Sequence, residues 1–218
     1  KTGTLTCNEM TVREVRLPNG EVFQVTGEGF APHGEVLLDK KTIEPGSHEP
    51  LEWLTRAGIL CNEADLHHRN SDWVWHGDAV DVAFLSFGHK IGWNHESTLD
   101  RHPQVNQIPF EPEHQYAASF NAVDGDVSVF VKGGPERVLA MCSESSCSNF
   151  DRNEMEATAT RMAEHGYRVL ALADATLAQP ITSQDVPAAP ANLRFLGFVG
   201  MIDPLRPGVK DAVRDCHE

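Results

Sequence analysis

The chain has 218 residues, 40% hydrophobic and 23% charged, with 18 Lys and Arg against 32 Asp and Glu for a formal net charge of −14. That length and apolar content exclude a disordered tail and suit one large domain or one and a half ordinary ones. The acidic excess excludes a non-specific nucleic-acid or anionic-membrane binder, because a phosphate-rich partner would have to overcome the mean field.

No window approaches the roughly 20 apolar residues of a membrane span. The N-terminus also lacks the charged, apolar and small-residue succession of a signal peptide. Cys7, Cys61, Cys142, Cys147 and Cys216 are odd in number and show no Cys-x-x-Cys spacing. They read as free thiols in a reducing, cytosolic compartment.

In chain order, the polar run Lys1-Thr2-Gly3-Thr4-Leu5-Thr6 opens without Met, and the last residues break off within a helical pattern, so both ends read as cut. Val22 to Phe30 alternates and carries glycines, as an edge strand does. Leu51, Leu54, Ala57 and Cys61 recur at helical spacing. A second helix is predicted over Asp78 to Phe87, with Asp78 as N-cap, Asp81 in the first turn and Gly88 as its end.

His89 to His114 is rich in His, Gly, Asn and Pro and reads as loop. Tyr116 to Val123 and Asp126 to Lys132 flank Asp124-Gly125, the preferred pair for a two-residue hairpin turn. Pairing outward sets Ala117 opposite Lys132, Ser119 opposite Phe130 and Asn121 opposite Ser128, all on one face. Ala118, Phe120, Ala122, Val127, Val129 and Val131 form the core face, so Lys132 is expected to point away from the core.

Pro135 opens the next helix at a position where its missing N–H does no harm. Asp151 caps another helix that ends at Gly166. The strand that follows, Tyr167 to Ala173, puts Arg168, Leu170 and Leu172 on one face. Ala178 to Asn192 reads as linker, Phe195 to Ile202 as a strand covered on both sides, and Val209 to Cys216 as helix.

Four segments, in order and approximate spacing, carry a resemblance: Lys1-Thr2-Gly3-Thr4-Leu5-Thr6, Lys132-Gly133-Gly134-Pro135-Glu136, Gly166-Tyr167-Arg168-Val169-Leu170-Ala171 and Asp203-Pro204-Leu205-Arg206. Together they resemble P-type ATPases over nearly the whole chain. The resemblance implies an α+β fold, a twisted antiparallel β-sheet flanked by helices on its outer side. It implies residues 1–9 as an edge of the phosphorylation domain, 10–193 as a nucleotide-binding domain, and 194–218 as the return into the phosphorylation domain.

In that family an Asp directly before the Lys-Thr-Gly-Thr run takes the phosphoryl group of ATP. Here it would precede Lys1, so this stretch is expected to bind nucleotide without forming the phosphoenzyme. Lys1, Thr2, Gly3 and Thr4 form the phosphorylation loop by resemblance, with Thr2 helping to position Mg²⁺ and phosphate in the intact enzyme. A Thr/Gly loop suits this because its backbone N–H groups can approach a phosphoryl group closely.

The same resemblance assigns a nucleotide site. Lys132, beside the permissive Gly133-Gly134 pair, lines the adenosine end of the ATP pocket. Phe110 stacks on adenine, a contact to which an aromatic face contributes on the order of 1–3 kcal/mol. Asp81, in Gly77-Asp78-Ala79-Val80-Asp81, faces the adenine amino group, although helix-end electrostatics alone would also explain it. Arg168 reaches phosphate and Leu170 packs on sugar or base, while Asp203 and Arg206 serve as a hinge. After Phe110 the family is commonly richer in Ser, Arg and Lys; Pro112, His114 and Gln115 stand here, and Gln115 could donate a hydrogen bond to nucleotide.

The expected function is therefore the ATP-binding domain of a cation-transporting P-type ATPase, a cytoplasmic part of a membrane protein. ATP and, in the intact enzyme, Mg²⁺ are its expected ligands. Its partners are the transported cation and the phosphorylation, actuator and membrane domains of the same chain, with no nucleic acid. Two other readings stand beside it: a haloacid-dehalogenase-type phosphatase with a large cap, and a non-catalytic His-rich metal-binding module. The eleven histidines show neither His-Glu-x-x-His nor Cys-x-x-Cys companions, so no metal ligands are assigned.

Overall fold

The computed structural model describes residues 3–70, 72–145, 150–179, 181–206, 208–209 and 214. Strands β1 (Thr11–Arg16), β2 (Val22–Val25), β3 (Val36–Leu38) and β4 (Lys41–Thr42) precede helix α1 (Glu49–Leu60) and a hairpin of β5 (Asp65–Arg69) and β6 (Asp72–His76). Helices α2 (Ala79–Lys90) and α3 (His95–Arg101) lead into β7 (Gln104–Glu111), β8 (Tyr116–Val123) and β9 (Asp126–Gly133). Then come α4 (Pro135–Met141), β10 (Cys142–Ser145), α5 (Arg152–Glu164), β11 (Arg168–Thr176) and β12 (Leu193–Ile202).

The β8–β9 hairpin sets the register of the site. Asp124 (φ 51°) and Gly125 (φ 93°) are both left-handed, the turn geometry whose twist matches two antiparallel strands. Ala117 faces Lys132, Ser119 faces Phe130 and Asn121 faces Ser128, as the alternation predicts. From here one sheet of ten strands runs β4-β3-β2-β1-β12-β11-β9-β8-β7, with β10 attached in parallel to β12. The remaining pairs of this sheet are antiparallel.

Strand β12, the continuous apolar run, lies between β1 and β11 and is buried from Phe195 to Met201. The expected domain limit at residue 193 falls on the first residue of this strand. Asp151 caps α5 with a carboxylate that accepts from the N–H groups of Asn153 and Glu154, and Pro135 stands in the first turn of α4.

Helices cover both faces of the sheet rather than one outer side. On the first face α1 and α2 bring Leu54 and Phe84 against Phe130 and Leu172. On the second, α4 and α5 bring Leu139 and Met162 against Val131 and Ala171. This corrects the expectation for Lys132. Alternation does carry it away from the second core, but the opposite face is roofed too, and Lys132 is buried at 7% exposure.

Three other expectations change. Only Val22–Val25 of the proposed edge strand is extended, and it lies inside the sheet between β1 and β3; Gly27 and Gly29, at φ 86° and 74°, turn the chain away. Gly88 does not end α2, which runs on to Lys90. A Cβ there would sit 2.6 Å from Ile59 Cδ1, so the glycine serves close helix–helix approach.

The predicted loop from His89 to His114 holds α3 and β7. Asn94 caps α3 by accepting from the Ser97 N–H, and β7 takes its hydrogen bonds from β8, a non-local partner that composition does not announce. The two-stranded β5–β6 sheet was not foreseen either; its His- and Trp-rich strands bury little.

The described part of 178–192 has neither helix nor strand and is tied down by the Asn106 amide, which donates to the carbonyls of Thr182 and Asp185 at 2.8 and 3.0 Å. The helix predicted from Val209 to Cys216 lies almost wholly outside the described residues. Cys7, Cys61 and Cys142 are free thiols, and Cys147 and Cys216 lie outside the described residues. Among the described residues no helix is long and apolar enough to cross a membrane.

Candidate functional site

On the first face, where β7, β8, β9 and the start of β11 meet the N-terminal end of α2, the sheet and helix part to leave a cleft of about 330 Å³. One wall is the sheet, with Phe110, Ser119, Lys132 and Leu170; the other is the loop of Cys61, Asn62 and Glu63 together with Asp78 and Asp81. The loop is held in place by Asn62, whose amide donates to the carbonyls of Gly58 (3.2 Å) and Asp81 (2.9 Å) and accepts from the Ala64 N–H (2.9 Å). Gly77, at φ 115°, lets the chain pass directly over Ala64 before Asp78 caps α2.

At the cleft floor Lys132 Nζ forms an ion pair with Asp81 Oδ1 and sits 5.3 Å from the Phe84 ring centroid. The second oxygen of Asp81 accepts from the Glu63 N–H at 3.0 Å. Both carboxylate oxygens are thus engaged by the protein itself. Gly133 follows Lys132 where a Cβ would stand 2.5 Å from the Gln115 carbonyl oxygen, so glycine is needed for β9 to close against the start of β8.

Of the residues singled out from sequence, Asp81, Phe110, Lys132, Gly133, Arg168 and Leu170 line this one cleft. Phe110 is 59% exposed and offers an open ring face at the rim. Gln115 and Gly134 line an adjoining shallower hollow of about 750 Å³ that shares Phe110, Arg168 and Leu170. Gln115 is at φ 61° in the turn between β7 and β8, and its carbonyl accepts from the Gly134 N–H at 2.9 Å.

Lys1 and Thr2 lie outside the described residues; Gly3 and Thr4 are exposed, and the Gly3 N–H donates to Thr6 Oγ1 at 3.1 Å. Asp203 accepts from the Thr6 hydroxyl at 2.5 Å and from the Asn8 N–H at 2.8 Å. Arg206 donates to the carbonyls of Thr6 and Gly3, each at 3.0 Å. The segments entering and leaving the sheet are thus clasped side by side.

Sequence reasoning missed Asn62, Cys61, Gln104, Gln107 and Ser119 as cleft residues. Burial pushes the Cys61 thiol up to about 11, with the nearby Lys132 charge opposing that rise. Gln104 and Gln107 are three apart and would fall on opposite faces of a regular strand. A bulge between Gln104 and Asn106 returns them to the same face, opposite Asn121 and Ser119.

The ionic lining is Glu63, Asp78 and Asp81 against Lys132 and Arg168. Such a cleft favours an uncharged, flat, hydrogen-bonding group inside and leaves any polyanion to project outward, past Arg168. Among the described residues no three His, Cys, Asp or Glu side chains come together to hold a metal ion.

The family model for the P-type ATPase cytoplasmic domain N matches residues 50–208. Across its whole length the chain is 36% identical to the cation-transporting ATPase pma1 of Synechocystis sp. and 30% identical to a calcium-transporting ATPase of Bacillus subtilis. It is 34% identical to the probable cation-transporting ATPase F of Mycobacterium tuberculosis. The chain spans about a quarter of the length of these relatives. Neither the phosphatase nor the metal-module reading is favoured by this match. The chain belongs to the P-type ATPase cytoplasmic N-domain family.

Proposed function

We propose that this chain is the ATP-binding domain of a cation-transporting P-type ATPase, and that the cleft on the first sheet face holds the adenosine end of ATP. The observation that carries the reading is the convergence on one cleft of Asp81, Phe110, Lys132 and the Arg168–Leu170 pair, from four separated parts of the sequence. Its volume and its mixture of one aromatic plate with a few polar groups suit a purine nucleoside. Adenine stacks on the exposed face of Phe110, Leu170 packs against the sugar or base, and Arg168 meets the phosphates. Lys132 and Asp81 form the floor, and Gln115, Gly133 and Gly134 shape the rim.

In the whole protein the γ-phosphate would reach an Asp preceding Lys1, and Lys1, Thr2, Gly3 and Thr4 would form the loop around it. Mg²⁺ would neutralise the phosphate charge during that transfer. Asp203 and Arg206, which clasp the two segments joining the sheet, would act as the hinge. The proposal keeps residues 1–9 as an edge of the phosphorylation domain but starts the return into it after β12 rather than at residue 194, because β12 is bonded between β1 and β11 inside the sheet. It also includes a cytoplasmic placement beside phosphorylation, actuator and membrane domains, and a transported cation as the cargo.

Calorimetric titration of the chain with a non-hydrolysable ATP analogue tests this. Phe110→Ala removes the plate, and a stacking contribution of about 1–3 kcal/mol corresponds to a loss of roughly 5- to 150-fold in affinity. Phe110 lies outside the packed clusters, so the melting temperature should stay unchanged. Equal affinity in wild type and variant would refute the stacking role.

A further inference from the structure

Strand β7 contributes two exposed amides to the cleft wall, and a chain of hydrogen bonds fixes which way each one faces. The chain starts at the backbone carbonyl of His102, which can only accept, and it accepts from Asn121 Nδ2 at 2.9 Å. Asn121 Oδ1 must then be an acceptor, and it takes the Ser119 hydroxyl proton at 2.7 Å. Ser119 Oγ in turn accepts from Gln104 Nε2 at 3.0 Å. The second Gln104 N–H goes to Gln107 Oε1 at 3.2 Å.

Asn121 and Ser119 are 0% and 2% exposed, so the inner half of this relay is locked in the sheet. Every direction follows from the first. Among the described residues, what remains without a protein partner is Gln104 Oε1, an acceptor, and Gln107 Nε2, a donor, on two side chains that both line the cleft.

That acceptor–donor pair is the complement of an adenine edge, where the 6-amino group donates beside a ring nitrogen that accepts. Guanine in the same pose would set O6 against Gln104 Oε1 and N1–H against Gln107 Nε2, two repulsive contacts. With the base stacked on Phe110 and the phosphates toward Arg168, the edge opposite the ribose is the one that points into the cleft. Asp81, the acid expected to meet the amino group, already has one oxygen on Lys132 and the other on the Glu63 N–H.

We infer that Gln104 and Gln107 select adenine over guanine in this cleft, reading the base edge with neutral amides from β7 rather than with the acid on α2. The inference rests on the nucleotide reading above and goes further by naming the groups that discriminate between bases.

The test is a matrix of affinities by displacement of a fluorescent ATP analogue from the 218-residue chain, using ATP, GTP and the triphosphate of purine riboside, which lacks the 6-amino group. Wild type should prefer ATP to either alternative by roughly tenfold, the scale of one well-made amide–base contact. Gln107→Glu places an acceptor where the ring nitrogen needs a donor, and should weaken ATP while bringing the ATP-to-GTP ratio close to one. Gln104→Met removes the acceptor, and should abolish the difference between ATP and the purine riboside triphosphate. Both sites are exposed, and unchanged melting curves will show that the variants fold.

Phe110-dependent binding of ATP with wild-type ratios in both variants would overturn this inference and leave the nucleotide reading standing. Failure of the wild-type chain to bind any nucleotide would overturn both.

Discussion

Replacing Asp81 with Asn would strip the counter-charge from an ammonium group that the fold has taken out of water. The Lys132 side chain retains 8% of its exposure and that of Asp81 17%, so the pair sits where removing one partner is costly. The Phe84 ring, 5.3 Å from Nζ, is a further favourable neighbour and contributes about 1 kcal/mol. Against a usual loss of roughly 3–5 kcal/mol for breaking a buried pair, the expected cost of Asp81→Asn is about 3 kcal/mol. At roughly 2–4 °C per kcal/mol for a chain this long, the melting temperature should fall by about 6–12 °C.

Lys132→Met should cost less, about 1 kcal/mol, because Asp81 keeps the Glu63 N–H and some contact with water. The double variant, with neither charge left, should recover to within about 1 kcal/mol of wild type. Urea unfolding of all four proteins closes the cycle. Additive single effects, agreeing within about 0.5 kcal/mol, would refute the claim that the floor is a coupled ion pair.

Titration behaviour supplies two further expectations. Burial pushes the Cys61 and Cys142 thiols up to about 11 and about 12, so both should resist iodoacetamide in the folded protein at pH 8 while half-exposed Cys7 reacts; site-resolved mass spectrometry reads this, and rapid labelling of Cys61 would contradict it. Lys90, whose Nζ donates to the Thr26 carbonyl, is pushed down from its ordinary 10.5 to about 8 by burial first and by Arg13 second. Between those values the unfolded chain binds more protons than the folded one, so this residue's contribution to stability rises with pH through that window. Denaturation midpoints of wild type relative to Lys90→Met should therefore climb from about pH 8 to pH 10.5, and a flat difference would refute the shift.

Local chemistry made part of this architecture readable. Asp124-Gly125 dictated a tight turn, and the turn dictated register, so the neighbours of Lys132 along β8 and β9 followed from the sequence. The caps at Asp78 and Asp151 announced α2 and α5 because each is a contact within a few residues of chain. Strand β7 gave no such signal, since its partners lie across the β8 ladder and its two bulges break the alternation on which strand reading depends. Gln104 and Gln107 were invisible for that reason. Lys132 was placed on the correct face, but a single strand cannot reveal that α1 and α2 roof that face as well.

The clasp formed by Asp203 and Arg206 has a mechanical consequence. The incoming segment feeds β1 and the outgoing one leaves β12, and these two strands are bonded neighbours near the middle of the sheet. A torque applied through both segments enters the body along one paired stem, and the cleft, whose sheet wall runs from β11, the neighbour of β12, out to β7, turns with that stem through continuous strand pairing.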